Sequence, residues 1–190
     1  LRVNKLDADK IPVVLVGGPD TTLVAIEKGD AAAIVTGEPS ITMSEQRAGK
    51  PLQKLWDTRT LKGTLDFYGS EYNSAAIYGL SAWVEKHPEE CQGVADAVVE
   101  SLHYISTHAP EEIVARMPDD IKGSNKELYL TVFRNMMEIF KPDGRFTEEG
   151  ARVSLNAMIE AVPEIAQANI DVHKLYTNKF VDEAHRKMGF

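Results

Sequence analysis

The stretch of residues 11–39, IPVVLVGGPDTTLVAIEKGDAAAIVTGEP, decides the predicted fold. An apolar run at 11–16 leads into a Gly-Gly-Pro-Asp turn, an amphipathic stretch and a second apolar run at 31–35. Two short apolar runs rich in β-branched residues, joined by a helical pattern, are typical of parallel strands with a crossover helix. In open α/β sheets, ligands bind beyond the carboxyl ends of the strands. The stretch therefore predicts an α/β fold whose strands end at ligand-contacting residues.

The pattern changes from α/β to helical further along the chain. A helix is predicted over residues 40–48, strands over 52–57, 65–68 and 74–80, and a polar linker over 59–64. From residue 81 onward, apolar residues recur at the three- and four-residue spacing of amphipathic helices. A long helix is predicted to begin at Pro88, with Val94, Val98, Leu102 and Ile105 on its buried face. Another is predicted to begin at the Thr-Glu-Glu-Gly sequence of residues 147–150, with Val153, Leu155, Met158 and Ile159 in its core stripe, and a last helix contains Phe180, Val181 and Ala184. The prediction is therefore a division at residue 64. Residues 1–64 would form an α/β part and residues 65–190 a mostly helical part.

Composition excludes several classes of partner. The chain has 190 residues, 43% hydrophobic and 26% charged, and its 21 Lys+Arg and 29 Asp+Glu give a net charge of −8. An acidic surface repels nucleic acid and anionic membranes, so we predict that neither is a partner. The single Cys91 excludes an internal disulfide. With no initiator Met and no signal-peptide pattern at Leu1, we expect a processed or cut piece of a longer product.

The first candidate binding residues follow the first apolar run. Backbone N–H groups at Gly17 and Gly18, with the Thr21 hydroxyl beside them, would form an anion or carboxylate site at a helix start. Asp20 argues against a strongly anionic ligand, because its carboxylate would occupy the same positive helix end. The alternative is an ordinary strand-to-helix turn in which Thr21 is a cap.

Glu38 and a cluster of residues around Tyr68 are two further candidate binding groups. Glu38 follows the second apolar run, where its carboxylate could accept hydrogen bonds from an amine, amide or ring N–H, or could simply complement a helix dipole. Tyr68, Ser70, Tyr72 and Asn73 combine aromatic rings with small polar groups near the predicted division of the chain. Such residues can stack on a flat ligand and orient it, although packing of the tyrosines in a core is the alternative.

No catalytic or metal-binding motif is present in the sequence. His87 and Cys91 are four residues apart but lack further ligands at the usual spacing, and the other histidines are scattered. We therefore predict no catalytic residues, no metal, no cofactor and no enzymatic activity.

Several segments resemble a known family. These are LVAIEKGDAAAIVTGEPS near the start, EKHPEECQGVADAVVESLHYI in the middle and YTNKFVDEA near the end. The chain resembles the substrate-binding proteins of ABC importers for nitrate, alkanesulfonate, taurine and pyrimidine precursors, a group related to thiamine-pyrimidine synthesis proteins. The resemblance covers nearly the whole chain, but only about the last two-thirds of a typical member.

The resemblance implies a type II periplasmic-binding-protein fold, with two lobes of mostly parallel sheets and a first lobe that is incomplete in this chain. It implies that residues 1–64 are part of the second α/β lobe, and that residues 65–190 are a hinge return and the helical part of the first lobe. It implies a solute-binding component that captures a sulfonate, nitrate or heteroaromatic molecule between the lobes. The implied partner is an ABC permease in the membrane. The implied location is periplasmic, or lipid-anchored at the outer face of the cytoplasmic membrane.

Other functions and associations remain open at this point. A thiamine-pyrimidine-biosynthesis enzyme and an effector-sensing domain of a transcription regulator are the alternatives on the same fold. The enzyme alternative needs a Cys-rich iron-binding motif, and the lone Cys91 counts against it. An incomplete sheet exposes a strand edge, so we expect a dimer or an association with a segment preceding Leu1.

Overall fold

A computed structural model describes residues 7, 10–17, 19–73, 75–123, 125–162 and 164–190, with the backbone alone at 19 and 20. These residues form eleven α-helices and two short 3₁₀ turns. The turns are Met137–Ile139 and Val172–Lys174. The helices are α1 Pro19–Lys28, α2 Ser40–Ala48, α3 Leu61–Tyr68, α4 Ser81–Lys86, α5 Pro88–Thr107, α6 Pro110–Arg116, α7 Asp119–Lys122, α8 Lys126–Met136, α9 Glu148–Ala161, α10 Glu164–Gln167 and α11 Lys179–Met188.

The chain divides into two compact units. The first unit comprises Leu1–Leu55 and Met117–Arg134, and the second comprises Trp56–Arg116 and Asn135–Phe190. The division predicted at residue 64 stays a prediction. None of the described helices is long and apolar enough to cross a membrane.

The predicted α/β fold is wrong, because the described residues contain no β-strand. The apolar runs at 11–16 and 31–35 are irregular, and the side chains of Leu15 (95% exposed) and Val35 (fully exposed) face solvent. A strand exists only where a neighbouring strand accepts and donates its backbone hydrogen bonds, which an apolar run does not by itself supply. The parallel sheets implied for the two lobes are therefore not found in the described part of the chain.

The other predicted strands are also absent. Residues 52–57 are irregular, and so are residues 75–80, where Tyr78 is 95% exposed; residue 74 lies outside the described part. The linker and strand predicted over 59–68 give way to α3, whose first turn is capped by Thr60 accepting the N–H of Gly63 at 3.0 Å. Such a side-chain cap satisfies a backbone donor that the helix leaves unpaired, and it favours a helix over an extended chain here.

In the first unit, α1 packs against α2. Both helices were predicted and are confirmed. Pro19 at the start of α1 has the fixed φ that suits a first helical turn, and α2 ends at Gly49 in the left-handed conformation (φ 63°). The buried side chains are small or mid-sized: Leu23, Ala25, Thr22, Ser40, Thr42 and Ser44. An ion pair between Arg47 and Glu27 (3.0 Å) joins the two helices at the surface.

In the second unit, the core is centred on the pair α5 and α11. Both helices were predicted and are confirmed, and Val99 and Ala184 have no exposed surface. Val94, which was predicted to face the core, is instead 48% exposed. At the edge of this contact, Gln92 donates to the carbonyl of Phe180 at 2.8 Å and so ties the two helices together.

Helix α9 was predicted from its Thr-Glu-Glu-Gly start and is confirmed. The Thr147 Oγ1 accepts the N–H of Gly150 at 3.1 Å, which is an N-terminal cap. Helix α9 contacts α10 and the 3₁₀ turn Val172–Lys174. These short elements cover one side of α9, and Ile165 of α10, together with Ile170 and Leu175 on either side of the 3₁₀ turn, lines the cavity described next.

Candidate functional site

A surface cavity of about 260 Å³, open to solvent, lies in the second unit against one side of α9, and its lining residues Met158 and Leu175 are about half exposed. Its lining is mostly apolar, and the lining residues carry no Asp, Glu, Lys, Arg or His. They are Asn73, Phe146, Ala151, Ser154, Leu155, Met158, Ile165, Ile170, Leu175 and Tyr176. An apolar cavity with a few polar groups is the usual form of a small-molecule site.

The first turn of α9 holds the side chain of Asn73 at the cavity. A Cβ atom built on Gly150 would lie 2.9 Å from both Nδ2 and Oδ1 of Asn73, and 2.9 Å from Oγ1 of Thr147. The amide group of Asn73 can therefore lie against the helix only because residue 150 is glycine. Gly150 is itself buried.

The Nδ2 atom of Asn73 is buried, and no described residue accepts a hydrogen bond from it. An unpaired buried donor costs about 1–3 kcal/mol, so most such groups in folded proteins have a partner. The hydroxyl of Ser154, which also lines the cavity, already donates to the Gly150 carbonyl at 2.9 Å. Asn73 therefore lines the cavity with a side chain whose Nδ2 atom is buried and has no acceptor among the described residues.

Two aromatic rings form another wall of the cavity. The rings of Phe146 and Tyr176 stack with their centroids 5.3 Å apart. The side chain of Asn178 fixes the backbone of Phe146 on both sides. It accepts the Phe146 N–H at 3.0 Å and donates to the Phe146 carbonyl at 2.9 Å. This wall is therefore held by two hydrogen bonds in addition to packing.

Side-chain contacts fix the two residues before Asn73, Glu71 and Tyr72. Glu71 forms an ion pair with Lys141 (2.9 Å), and the Thr147 hydroxyl lies 3.5 Å from the same carboxylate. Tyr72 stacks on Tyr68 with the ring centroids 4.1 Å apart and the planes nearly parallel. These contacts therefore limit the movement of Asn73 in the wall of the cavity.

Burial raises the pKa of Tyr68, and the neighbouring Tyr72 raises it further through its charge and a hydrogen bond. The structure brings together the predicted site residues Tyr68 and Tyr72, but neither lines the cavity. With their rings stacked on each other, the interplanar space holds no ligand. Of this predicted group, Asn73 is the member that lines the cavity.

The remaining predicted site residues lie in the first unit. Gly17 has φ 74°, and Thr21 donates its hydroxyl hydrogen to the carbonyl of Val16, which is the arrangement of a turn before α1. Glu38 accepts the N–H of Thr42 at 3.1 Å, a contact that complements the start of α2. Gly18 and the side chain of Asp20 lie outside the described residues. A ligand role for these five residues stays a prediction.

Several lining residues were not identified from the sequence. Leu155 and Met158 were predicted to lie in the core stripe of a helix, Tyr176 was predicted to precede the last helix, and Phe146 was given no role. One sequence signal was available: Gly150 within the first turn of a predicted helix indicates that another group approaches the backbone closely. That signal does not say which residue approaches.

The described residues contain no group of three or more His, Cys, Asp or Glu side chains that could hold a metal ion. His87 lies 3.0 Å from the carboxylate of Glu90, and its ring stacks on Trp83. The hydrogen bond from His87 lowers the pKa of Glu90.

Comparison with known proteins gives one structural likeness. No protein-family model matches the chain, and no curated protein matches it. A solved structure of a protein from Bordetella bronchiseptica RB50 superposes with a TM-score of 0.83 at 27% sequence identity. The match covers 99% of this chain and 58% of that protein. The fold of this chain is thus similar to that of a part of the longer protein, and the chain spans somewhat more than half of its length.

Proposed function

We propose that this chain belongs to a solute-binding component of an ABC importer, which captures a small molecule and passes it to a membrane permease. The observation that carries the binding part of the proposal is the mostly apolar cavity beside α9. The importer part rests on the sequence resemblance described above. Binding and release need no bond to be made or broken.

The size of the cavity limits the ligand. Ligand pockets for drug-sized molecules measure roughly 300–1,000 Å³, and an engineered apolar cavity of about 150 Å³ holds benzene. At about 260 Å³, this cavity fits a molecule with a single ring and small substituents.

The polarity of the lining favours an uncharged ligand over nitrate or a sulfonate. A buried anion needs a cation or several hydrogen-bond donors to replace its water, and the lining residues include neither Lys nor Arg. Among the ligand classes implied by the resemblance, the heteroaromatic class therefore agrees best with the cavity.

Thermal unfolding in the presence of small molecules tests the proposal. The panel contains taurine, alkanesulfonates, nitrate, bicarbonate, pyrimidines and uncharged single-ring compounds. A ligand at about one hundred times its Kd stabilises the folded state by roughly 2.7 kcal/mol. For a chain of this size that amounts to a rise in Tm of about 5–10 °C. We expect the rise with uncharged rings, and no rise with nitrate or taurine.

Two variants locate the binding. Ala151→Leu places a larger side chain in the cavity and should abolish the ligand-dependent rise in Tm. Ala157→Leu makes the same change on α9 at a residue outside the lining and should keep it. If no compound in the panel stabilises the protein, the proposed function is wrong. If Ala151→Leu keeps the ligand-dependent rise in Tm as Ala157→Leu does, the ligand binds outside this cavity.

A further inference from the structure

We propose that three exposed apolar segments of this chain, at residues 11–16, 31–35 and 75–80, are contact surfaces for a further polypeptide segment. That segment corresponds to the part of the longer Bordetella protein that lies outside the match with this chain. The first two surfaces belong to the first unit, and the third belongs to the second unit. The proposal goes beyond the proposed function and is independent of it, because the residues that carry it do not line the cavity beside α9.

The exposed area of the chain is the first support for this proposal. The chain exposes 13,447 Å² and has a mass of 21.0 kDa. A compact monomer of this mass exposes roughly 9,000 Å², and two compact units of half the mass, completely separated, expose roughly 10,900 Å² together. The chain therefore exposes about 2,500 Å² more than that second figure, whatever the arrangement of its own two units. An obligate interface covers up to roughly 2,500 Å² on each partner, so the surplus is large enough for a permanent contact.

The second support is the position of the exposed apolar side chains. In the first unit, Val13 is 82% exposed, and Leu15 and Val35 have almost no cover at all. In the second unit, Leu80 is 81% exposed and follows the equally uncovered Tyr78 by two residues. Single exposed apolar residues are normal in folded proteins, whereas apolar stretches that are left uncovered mark sites of contact with another molecule.

The third support is the small core of the described part of the chain. The largest side chain without exposed surface in that part is Val99, although a chain of 190 residues ordinarily buries about 70% of its unfolded surface. Leucine, isoleucine and phenylalanine are among the residues that fill such positions in most domains. The described part of this chain carries those residue types at its surface, where a partner can cover them.

The similarity to the Bordetella protein indicates what covers these segments. Nearly the whole of this chain matches that protein, which has a substantial further stretch outside the match. A stretch that folds in one chain with the matched part is a source of apolar surface complementary to it. A second copy of this chain is a poorer occupant, because each copy carries a net charge of −8 and like charges repel.

Cysteine labelling tests the proposal in two proteins, the 190-residue chain and a chimera. In the chimera, the unmatched stretch of the Bordetella protein is joined to this chain in the order that it has in that protein. Both proteins carry Cys91→Ala, which removes the natural thiol of the chain. Each also carries one of the substitutions Leu15→Cys, Val35→Cys or Tyr78→Cys, and the rate of reaction with a maleimide is measured.

Two control variants place the thiol at exposed polar positions away from the three segments. Gln46→Cys lies on α2 in the first unit, and Asn156→Cys lies on α9 in the second unit. These controls report any general change in thiol reactivity between the chain and the chimera.

We expect the three segment variants to react about tenfold or more slowly in the chimera than in the 190-residue chain, because a covered thiol reacts only when the contact opens. The two control variants should react at the same rate in both proteins. Equal rates for the segment variants in the two proteins would overturn the proposal. A reaction that slows in the 190-residue chain as its concentration rises would also overturn it, since the occupant would then be a second copy.

Thermal unfolding supplies a second measurement that needs no thiol. Leu15→Glu should leave the Tm of the 190-residue chain unchanged, because this side chain is exposed there. The same substitution should lower the Tm of the chimera, where the contact would bury the new charge. Gln46→Glu adds the same charge on α2 and should leave the Tm of both proteins unchanged. A chimera that tolerates Leu15→Glu as well as Gln46→Glu would contradict the contact at residues 11–16, and binding in the cavity beside α9 would be unaffected by that result.

Discussion

Replacing Gly63 by alanine should destabilise the second unit, because the added methyl group has no space. Gly63 lies in the first turn of α3, and a Cβ atom there would overlap the carbonyl oxygen of Asp57 and lie 2.9 Å from its carbonyl carbon. Both are backbone atoms, so no side-chain rotation relieves the contact. Either the start of α3 or the Asp57 peptide has to move.

The structure around Asp57 resists that movement. Its carboxylate accepts hydrogen bonds from Nε of Arg59 at 2.9 Å and from the Arg59 guanidinium at 2.6 Å. The N–H of Gly63 is held by Oγ1 of Thr60, and the N–H of Leu61 by the carboxylate of Glu138 at 3.1 Å. A shift of the helix start would lengthen several of these hydrogen bonds together.

The expected cost follows from these contacts. Overpacking costs about 1–3 kcal/mol, and a clash with backbone belongs at the upper end of that range. Alanine recovers about 1 kcal/mol through its higher helix propensity than glycine, which leaves a net loss of about 2 kcal/mol. In a chain of this length, that loss lowers the Tm by about 4–8 °C.

Thermal unfolding followed by circular dichroism measures the effect, with Gly93→Ala as the matched control. Gly93 lies inside α5, and a Cβ atom there would have no neighbour within 4 Å. The same substitution at 93 should therefore raise the Tm by about 2–4 °C. If Gly63→Ala unfolds at or above the temperature of the wild type, the described packing at the start of α3 is wrong.

Three further changes should have measurable effects. Asn178→Ala removes both hydrogen bonds to the backbone of Phe146 and should lower the unfolding free energy, measured by urea titration, by about 1–3 kcal/mol. An unchanged urea midpoint would contradict a stabilising role for these two hydrogen bonds. Thr147→Ala removes the cap of α9 and should cost about 1 kcal/mol, with Thr147→Ser retaining most of the stability. Tyr72→Phe should lower the pKa of Tyr68 without returning it to its usual value, because burial is the first cause of the shift. The stability linked to the raised pKa of Tyr68 is fully present below its unfolded pKa of about 10, and it is lost as the pH rises through the folded value. Ultraviolet titration of tyrosinate should show the lower pKa in Tyr72→Phe, and an unshifted curve would exclude the contact with Tyr72.

Most of the helices could be predicted from the sequence because their ends are marked locally. Gly49 stops α2, Pro88 starts α5 and Thr147 caps α9, and in each case the signal lies within one turn of the helix end. The signals need no information from distant residues. The same is true of the periodic apolar pattern that identified α11.

The strands could not be predicted, because an apolar run does not reveal whether a neighbouring strand is present. Residues 11–16 and 31–35 have the composition of buried strands, yet the described residues give them no such neighbour. α3 was missed for a related reason. Its glycine and aromatic residues have modest helix propensity, and the capping by Thr60 determines the outcome.

The candidate site was predictable only in part. Asn73 was identified from its residue type and its position beside the tyrosines, and it lines the cavity. The aromatic wall of Phe146 and Tyr176 is more than 70 residues away in sequence, and tertiary packing alone brings it to Asn73. No local pattern carries that information.

The exposed apolar segments have a consequence for the behaviour of the protein in solution. Leu15, Val35 and Tyr78 present apolar surface that attracts the same surface on other copies of the chain. The net charge of −8 opposes that attraction, since like-charged molecules repel each other. Added salt screens the repulsion, with a Debye length of about 8 Å at physiological ionic strength, and leaves the apolar attraction in place. Colloidal stability in this protein therefore depends on the ionic strength of the buffer, even where the free energy of folding does not change.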